Sequence, residues 1–329
     1  MSSAIVSSQY IPLLVVIINY RTPSLTIDCL RSLADEVRSL PGTQVVVVDN
    51  ASGDGSVERL ERAIGENNWG SWVRVLPSPV NGGFSAGNNI GIKAVAADAY
   101  LLINSDTIVR PGAVRSLLEA MQAHPDAGLI SPRLEWPDGT PQISCFRYRS
   151  PVSELIAAAA TGPLTQLLSG YDVPLPVSDA PINPEWTSFA CVMVRREVVE
   201  QIGLMDEGYF MYFDDIDYCR RAKEAGWQIL YWPFARVVHL RGGSGSVKTE
   251  IATRKRPQAY LYASRTRYFA KFYGPAGLWG ANLLWLAGRS VSLARELAGN
   301  KQPHTCESEA RDIWMNWRHP MGSTGSRKK

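Results

Sequence analysis

Cysteine is sparse and carries no pairing pattern. There are five in 329 residues, Cys29, Cys145, Cys191, Cys219 and Cys306, with no Cys-x-x-Cys spacing, so neither a disulfide framework nor a zinc site is encoded. Free thiols of this kind suit a reducing compartment. Long apolar runs are missing as well. The run Ile11 to Ile18 is far short of the roughly 20 residues a spanning helix needs, and it reads as a buried strand. No basic segment precedes it, so no secretory leader is expected. A strong excess of one charge is absent too: a net charge of +3 does not call for nucleic acid. Two familiar phosphate loops are also missing. No Gly-Lys-Ser/Thr follows the glycine-rich segment, and Gly-x-Gly-x-x-Gly does not occur, which excludes a Walker loop and a dinucleotide fingerprint.

What remains is the composition of a soluble globular protein, 45% hydrophobic and 20% charged, long enough to bury a sizeable core. The first half alternates strand and helix. Ile11 to Asn19 reads as a strand buried on both faces. A helix then starts at Thr22-Pro23, carries Leu30, Leu33, Ala34 and Val37, and stops at Pro41-Gly42. Further strands are predicted at Val45 to Val48, Trp72 to Leu76, Ala99 to Ile103 and Gly128 to Ile130. Helices are predicted after Gly53, over Asn88 to Ala97 and after Pro111. This rhythm implies a mostly parallel sheet with right-handed crossovers. It breaks over 133–186, a proline-rich insertion with one or two helices. It then resumes with a strand at Phe189 to Val194, helices at Arg196 to Ile202 and Ile216 to Ala225, and strands at Gln228 to Trp232 and Val237 to Leu240.

Polar motifs stand where the strands end. Asp49-Asn50-Ala51-Ser52 closes a four-valine strand, placing a carboxylate able to accept a pyrimidine N–H, while Asn50 and Ser52 also suit a helix cap. Asn81-Gly82-Gly83-Phe84-Ser85-Ala86-Gly87-Asn88-Asn89 provides a backbone that approaches a ligand closely, with Asn88 and Asn89 opening a helix whose N-terminus favours anions. Asn104-Ser105-Asp106 offers oxygen ligands of the sort that join a divalent cation to substrate phosphates. Asp214, Asp215 and Asp217 crowd three carboxylates into four positions, a repulsion that a proton, a cation or a substrate relieves; the same residues also suit a helix N-terminus. His239 precedes Arg241-Gly242-Gly243-Ser244, where it suits a metal or diphosphate contact. In an open α/β sheet the carboxyl ends of the strands face one crevice, so these motifs are expected to share a site.

In this order the motifs resemble the family 2 glycosyltransferases with the GT-A fold, and among them the rhamnosyltransferase-like branch that builds bacterial surface polysaccharides. The resemblance covers about residues 12–245. It implies an α/β fold, a Rossmann-like mostly parallel central sheet flanked by helices, with a C-terminal helical extension. It implies inverting transfer from a nucleotide-diphosphate sugar: dTDP-L-rhamnose by the branch, or a UDP-sugar, since thymine and uracil offer the same ring edge. Donor-binding residues by the resemblance are Asn19, Tyr20, Asp49, Asn81, Gly83, Phe84, Asn88, Asn104, Ser105 and Asp106. Asp106 and His239 would hold Mg²⁺ or Mn²⁺, and Asp215 would be the catalytic base, with Asp214 or Asp217 assisting. Trp186 and Arg221 would stand on the acceptor side. Three residues depart from the family pattern: Asn104 replaces the first Asp of Asp-x-Asp, Asp214 replaces the usual Glu before the base, and Ala190 stands where Gly is common. The rival readings are a nucleotide-sugar-binding relative without transfer activity, against which Asp106, Asp215 and His239 stand, and a nucleotidyltransferase, whose glycine-rich signature near the first strand is replaced here by Asn19-Tyr20-Arg21-Thr22.

The expected division is a catalytic domain over 10–245, with 133–186 as a variable acceptor-side insertion, a basic and amphipathic helical extension over 246–300, and a flexible tail over 301–329. Residues 236–271 hold nine Lys or Arg against Glu250 alone, which suits phosphate groups, an anionic membrane surface or a solvated face. The segment Leu278 to Leu286, rich in Trp and Leu with arginines on either side, suits an interfacial helix or a dimer contact. The expected partners are the sugar nucleotide, a saccharide or lipid-diphosphate-linked acceptor, the inner membrane surface and a second copy of the chain. The expected location is cytoplasmic, peripheral at the inner face of the membrane.

Overall fold

A computed structural model describes residues 10–240 and 247–322, apart from the side chain of Lys248. The elements of the first half are β1 (Ile11–Asn19), α1 (Pro23–Ser39), β2 (Gln44–Asp49), α2 (Ser56–Glu66), β3 (Val73–Pro77), α3 (Gly83–Ala94), β4 (Ala97–Asn104), β5 (Thr107–Val109), α4 (Ala113–Ala123) and β6 (Ala127–Glu135). Then come β7 (Cys145–Phe146), α5 (Pro151–Ala159), α6 (Gly162–Leu167), β8 (Trp186–Thr187), β9 (Cys191–Arg195), α7 (Arg196–Ile202), α8 (Asp214–Glu224) and β10 (Gln228–His239). The C-terminal part holds α9 (Val247–Ala252), α10 (Ala259–Leu297) and α11 (Glu309–Asp312).

Eight strands form one sheet in the order β3-β2-β1-β4-β9-β6-β10-β5. The first four are parallel, and β9 and β5 run antiparallel to their neighbours, so the sheet is mixed and mostly parallel. The apolar runs of β1, β2 and β4 are buried because helices cover both faces, which splits the core into two large clusters. Register then decides where the site lies. Asn19 pairs with Asp49 across β1–β2, and Ile18 pairs with Asn104 across β1–β4, so three adjacent strands end in polar residues at one edge.

Several boundaries differ from expectation. The helix expected over Asn88 to Ala97 is α3, which begins five residues earlier, while Ala97 already belongs to β4. The two expected closing strands are the single strand β10, bent by a bulge between Trp232 and Arg236. The short strands β5, β7 and β8 carry too few residues to show a period in sequence.

The extension is mostly α10, bent at Gly274-Pro275, and it packs on α5. Gly288 lies against the backbone of this partner helix, where a Cβ would come within 2.4 Å of Leu155 O. Residues 301–322, expected to be a flexible tail, fold back onto the extension: Ile313 is buried and Trp314 meets Trp279 edge-on. Of the seven described Lys or Arg side chains in 236–271, five are ion-paired, Arg236 with Glu135 among them. Arg265 bonds Glu154 at 2.8 Å, Arg267 bonds Asp206 at 2.8 Å, Lys271 bonds Asp206 at 2.9 Å, and Arg256 bonds Asp312 at 2.7 Å. Charge runs in sequence do not reveal such partners, which arrive from distant segments. Arg241 and the glycine pair that follows it fall outside the described residues.

Candidate functional site

At the carboxyl edge of the sheet lies a crevice of about 540 Å³. A second groove of about 560 Å³, lined by Thr43, Gln44, Trp69 and Trp72, sits at the opposite, amino-terminal end of β2 and gathers none of the strand-end motifs.

The wall of the crevice is built on an inner layer of hydrogen bonds. Asn19 Nδ2 donates to Asp49 Oδ1 at 2.7 Å, and the Ser52 hydroxyl and amide donate to the same carboxylate at 2.6 and 3.0 Å. The Thr26 hydroxyl donates to Asn19 Oδ1 at 2.9 Å. Asn19 and Asp49 are therefore buried behind the wall, with Ile18, Tyr20 and Asn50 on it. Neighbours on β1 and the turn after β2 give the Asp49 carboxylate three hydrogen bonds, two on Oδ1 and one on Oδ2, which hold it in place and leave acceptor capacity on Oδ2 for the expected pyrimidine contact.

Asn50, read in sequence as a helix cap, instead reaches the glycine loop. Its Nδ2 donates to Asn81 Oδ1 at 2.9 Å and Gly83 O at 3.0 Å, and Gly82 N donates to its Oδ1 at 3.3 Å. Gly83 has φ of +84°, and a Cβ there would sit 2.0 Å from Phe210 O. That lets Phe84 N donate to Phe210 O at 2.7 Å, joining the loop to the acidic segment. Asn81, Gly83 and Phe84 line the crevice. Asn88 does not: it is buried one turn into α3, donating to Phe84 O at 3.1 Å. Asn89 is likewise internal, exchanging hydrogen bonds with the Met205 backbone at 2.9 and 3.0 Å.

Asn104, Ser105 and Asp106 line the crevice together with His239. Antiparallel pairing of β5 with β10 sets His239 opposite Thr107, and Leu240 N donates to Asp106 O at 2.9 Å. As a result His239 Nε2 lies 3.5 Å from Asp106 Oδ1, with both side chains buried. Among the described residues no group of three or more His, Cys, Asp or Glu is arranged to hold a metal. One carboxylate and one imidazole facing a crevice nevertheless fit Mg²⁺ or Mn²⁺, which take few protein ligands when substrate phosphates supply the rest.

Asp214 and Asp215 open α8 and line the crevice. Burial, then the charge of Asp215, raises the Asp214 carboxyl well above the usual range. Burial also pushes half-buried Asp215 up to about 6, against the pull of the Ile216 amide at 2.9 Å and the Arg149 guanidinium. Asp217 is not brought to the crevice. It is buried against Arg221 at 2.8 Å and Lys271 at 2.5 Å. Arg221 is a brace, also donating to Ile202 O at 2.8 Å and Leu204 O at 3.0 Å. Trp186 stacks on Phe146 at 4.1 Å and donates to Arg147 O at 2.8 Å, outside the crevice.

Ala190, singled out in sequence as a departure from the family pattern, lines the crevice, while sequence reasoning missed Ser188 and Phe189 before it and the aromatics Phe210 and Tyr260. The Phe210-Met211-Tyr212 run beside the acidic cluster is the signal that could have found part of this wall. Tyr260 had none, since it comes from the extension.

Residues 14–156 match the family described as Glycosyl transferase family 2, and residues 183–267 match Glycosyltransferase like family 2. The chain is 29% identical over 268 residues to the N-acetylglucosaminyl-diphospho-decaprenol L-rhamnosyltransferase of Mycobacterium tuberculosis (strain ATCC 25618 / H37Rv), covering 77% of this chain and 82% of that protein. It is 26% identical over 213 residues to the low-salt glycan biosynthesis hexosyltransferase Agl10 of Haloferax volcanii, covering 64% and 61%. The fold is shared with GalNAc-T7 crystallised with UDP, GalNAc and Mn²⁺, at a TM-score of 0.56 and 14% identity, covering 95% of this chain and 55% of that one. The mannosyltransferase PcManGT from Pyrobaculum calidifontis, in complex with GDP-Man and Mn²⁺, superposes with a TM-score of 0.54 at 14% identity, covering 94% and 82%.

Proposed function

The chain belongs to the family 2 glycosyltransferases, and on that premise we propose that it moves L-rhamnose from dTDP-L-rhamnose, with inversion, onto a saccharide carried on a lipid diphosphate. The observation that carries this reading is the shared crevice. It holds an Asp106–His239 pair at the strand edge and, in Asp215, a carboxylate raised to about 6. A base with that affinity is mostly ionised at neutral pH yet takes up a proton readily. Asp215 accepts the proton of the acceptor hydroxyl, whose oxygen bonds to the anomeric carbon. The bond from that carbon to the diphosphate breaks, and its electron pair leaves with the nucleotide. Asp106 and His239 would hold Mg²⁺ or Mn²⁺, which supplies positive charge for the diphosphate. Asn50, Asn81 and Gly83 shape the donor side of the crevice, and Asp49, held by Asn19 and Ser52 just behind it, would accept the pyrimidine N–H. The choice of rhamnose draws its support from the mycobacterial relative's name and from the motif order.

The test is transfer from radiolabelled dTDP-L-rhamnose to a short-chain N-acetylglucosaminyl-diphospho-lipid. Wild type is expected to transfer, and Asp215→Asn to lose about 10³-fold. Faster transfer from a UDP-sugar overturns the donor assignment, and nucleotide binding with no transfer from any donor overturns the enzyme reading.

We place the reaction at the cytoplasmic face of a membrane. The second half of α10 supports this with an apolar stripe at four- and three-residue spacing: Trp279, Leu283, Leu286, Leu293 and Leu297. Trp279, Leu283, Leu293 and Leu297 are exposed, the last at 82%. Among the described residues no helix is long and apolar enough to cross a membrane, so the stripe would lie along the surface.

A further inference from the structure

Three aromatic rings stand in the crevice beside the acidic pair. Phe210 and Tyr212 come from the loop before α8, and Tyr260 comes from the first turn of α10. The Tyr212 and Tyr260 rings are nearly parallel, 15° apart with centroids at 6.3 Å, and Phe210 lies 5.1 Å from Tyr260. All three remain partly open to solvent.

The loop is held in a conformation it would not adopt alone. Tyr212 and Phe213 take left-handed φ values of 68° and 65°, a strained choice for bulky residues. Distant segments enforce it: Phe84 N donates to Phe210 O at 2.7 Å, and the buried Ser264 hydroxyl of α10 donates to Met211 O at 3.1 Å. Tyr212 lines the same crevice as Asp214 and Asp215, two and three residues before them in the chain, and burial, then the charges of Tyr260, Asp214 and Asp215, raises its phenol. The strained loop thus sets Tyr212 nearly parallel to Tyr260, an aromatic surface in the crevice that also holds Asp215. Such a surface has an apolar face and a polar edge, and it complements a pyranose, whose axial C–H hydrogens form one apolar face while its hydroxyls point outward.

We propose that Tyr212 and Tyr260 form the acceptor-saccharide subsite, stacking on the apolar face of the pyranose whose hydroxyl Asp215 deprotonates. The inference rests on the transferase reading and deepens it. The C-terminal extension then completes the active site, and the acceptor is recognised by a sugar ring as well as by any diphosphate it carries.

The experiment measures acceptor KM with the short-chain N-acetylglucosaminyl-diphospho-lipid, and dTDP affinity by calorimetry, for wild type, Tyr260→Ala, Tyr260→Phe and Tyr212→Ala. Both alanine variants are expected to raise acceptor KM by about tenfold with dTDP affinity intact, while Tyr260→Phe stays near wild type. Unchanged acceptor KM overturns the proposal. So does a loss of dTDP affinity, which would put the rings on the donor base. If wild type transfers nothing, the transferase reading has failed, and saturation-transfer NMR with methyl N-acetylglucosaminide in the presence of dTDP still decides the subsite. A signal in wild type that Tyr260→Ala abolishes supports it, and silence in wild type overturns it.

Discussion

Asp215 owes its chemistry to its neighbours. Burial raises its affinity for a proton, while the Ile216 amide and Arg149 restrain the rise to about 6. Activity requires the ionised form, so kcat/KM should fall as pH drops below about 6, and a pH profile checks this. Asp214 has a different consequence. Its folded-state affinity is raised, so between the unfolded carboxyl value and the folded one the native state binds more protons, and stability declines as pH rises. Asp214→Asn should therefore stabilise the fold at pH 8 by roughly 1 kcal/mol, with the gain vanishing near pH 4. Denaturant melts at the two pH values measure it, and a loss of stability at pH 8 would reverse the sign. Asp217, two residues along α8, shows how little spacing reveals of role: Arg221 and Lys271 make it a structural counter-ion.

Among the elements, the glycine loop and the loop before α8 behave as one unit, because the Phe84–Phe210 hydrogen bond joins them through the space that Gly83 leaves. Gly83→Ala should destabilise by about 2–3 kcal/mol, since both the positive φ and the Phe210 carbonyl oppose a Cβ. Gly53 also has positive φ but nothing within 4 Å, so Gly53→Ala should cost only about 1 kcal/mol. Equal losses in thermal melts would show that the contact between the loops contributes nothing. The strands β1, β2 and β4 were legible in sequence because burial on both faces writes an unbroken apolar run. The start of α3 was not, because Asn88 and Asn89 resemble caps and the partners that make them internal, Phe84 and Met205, appear only after folding.

On the scale of the whole molecule, α10 serves two places. Its first turn delivers Tyr260 to the crevice and its buried Ser264 grips the acidic loop, while its far half presents an apolar stripe. If that stripe meets lipid, the pair of substitutions Leu283→Glu and Leu293→Glu should abolish co-sedimentation with anionic vesicles and leave transfer to a water-soluble acceptor intact. Loss of a dimer on gel filtration, with vesicle binding retained, would assign the stripe to a second copy instead.

The sequence by itself determined the α/β alternation, the strands whose ends carry the motifs, and the family those motifs announce, because such signals are local and written in consecutive residues. Only the tertiary structure decided which polar residues face the crevice. It set Asp49 just behind the wall, turned Asn88, Asp217 and Arg221 into structural members, brought Asn50 and Tyr260 to the wall, paired five of the seven described Lys or Arg side chains of 236–271 with carboxylates and set His239 beside Asp106. The physical reason is that a polar side chain takes its role from the partner that satisfies it. Here those partners are set by strand register and by helices far apart in the chain.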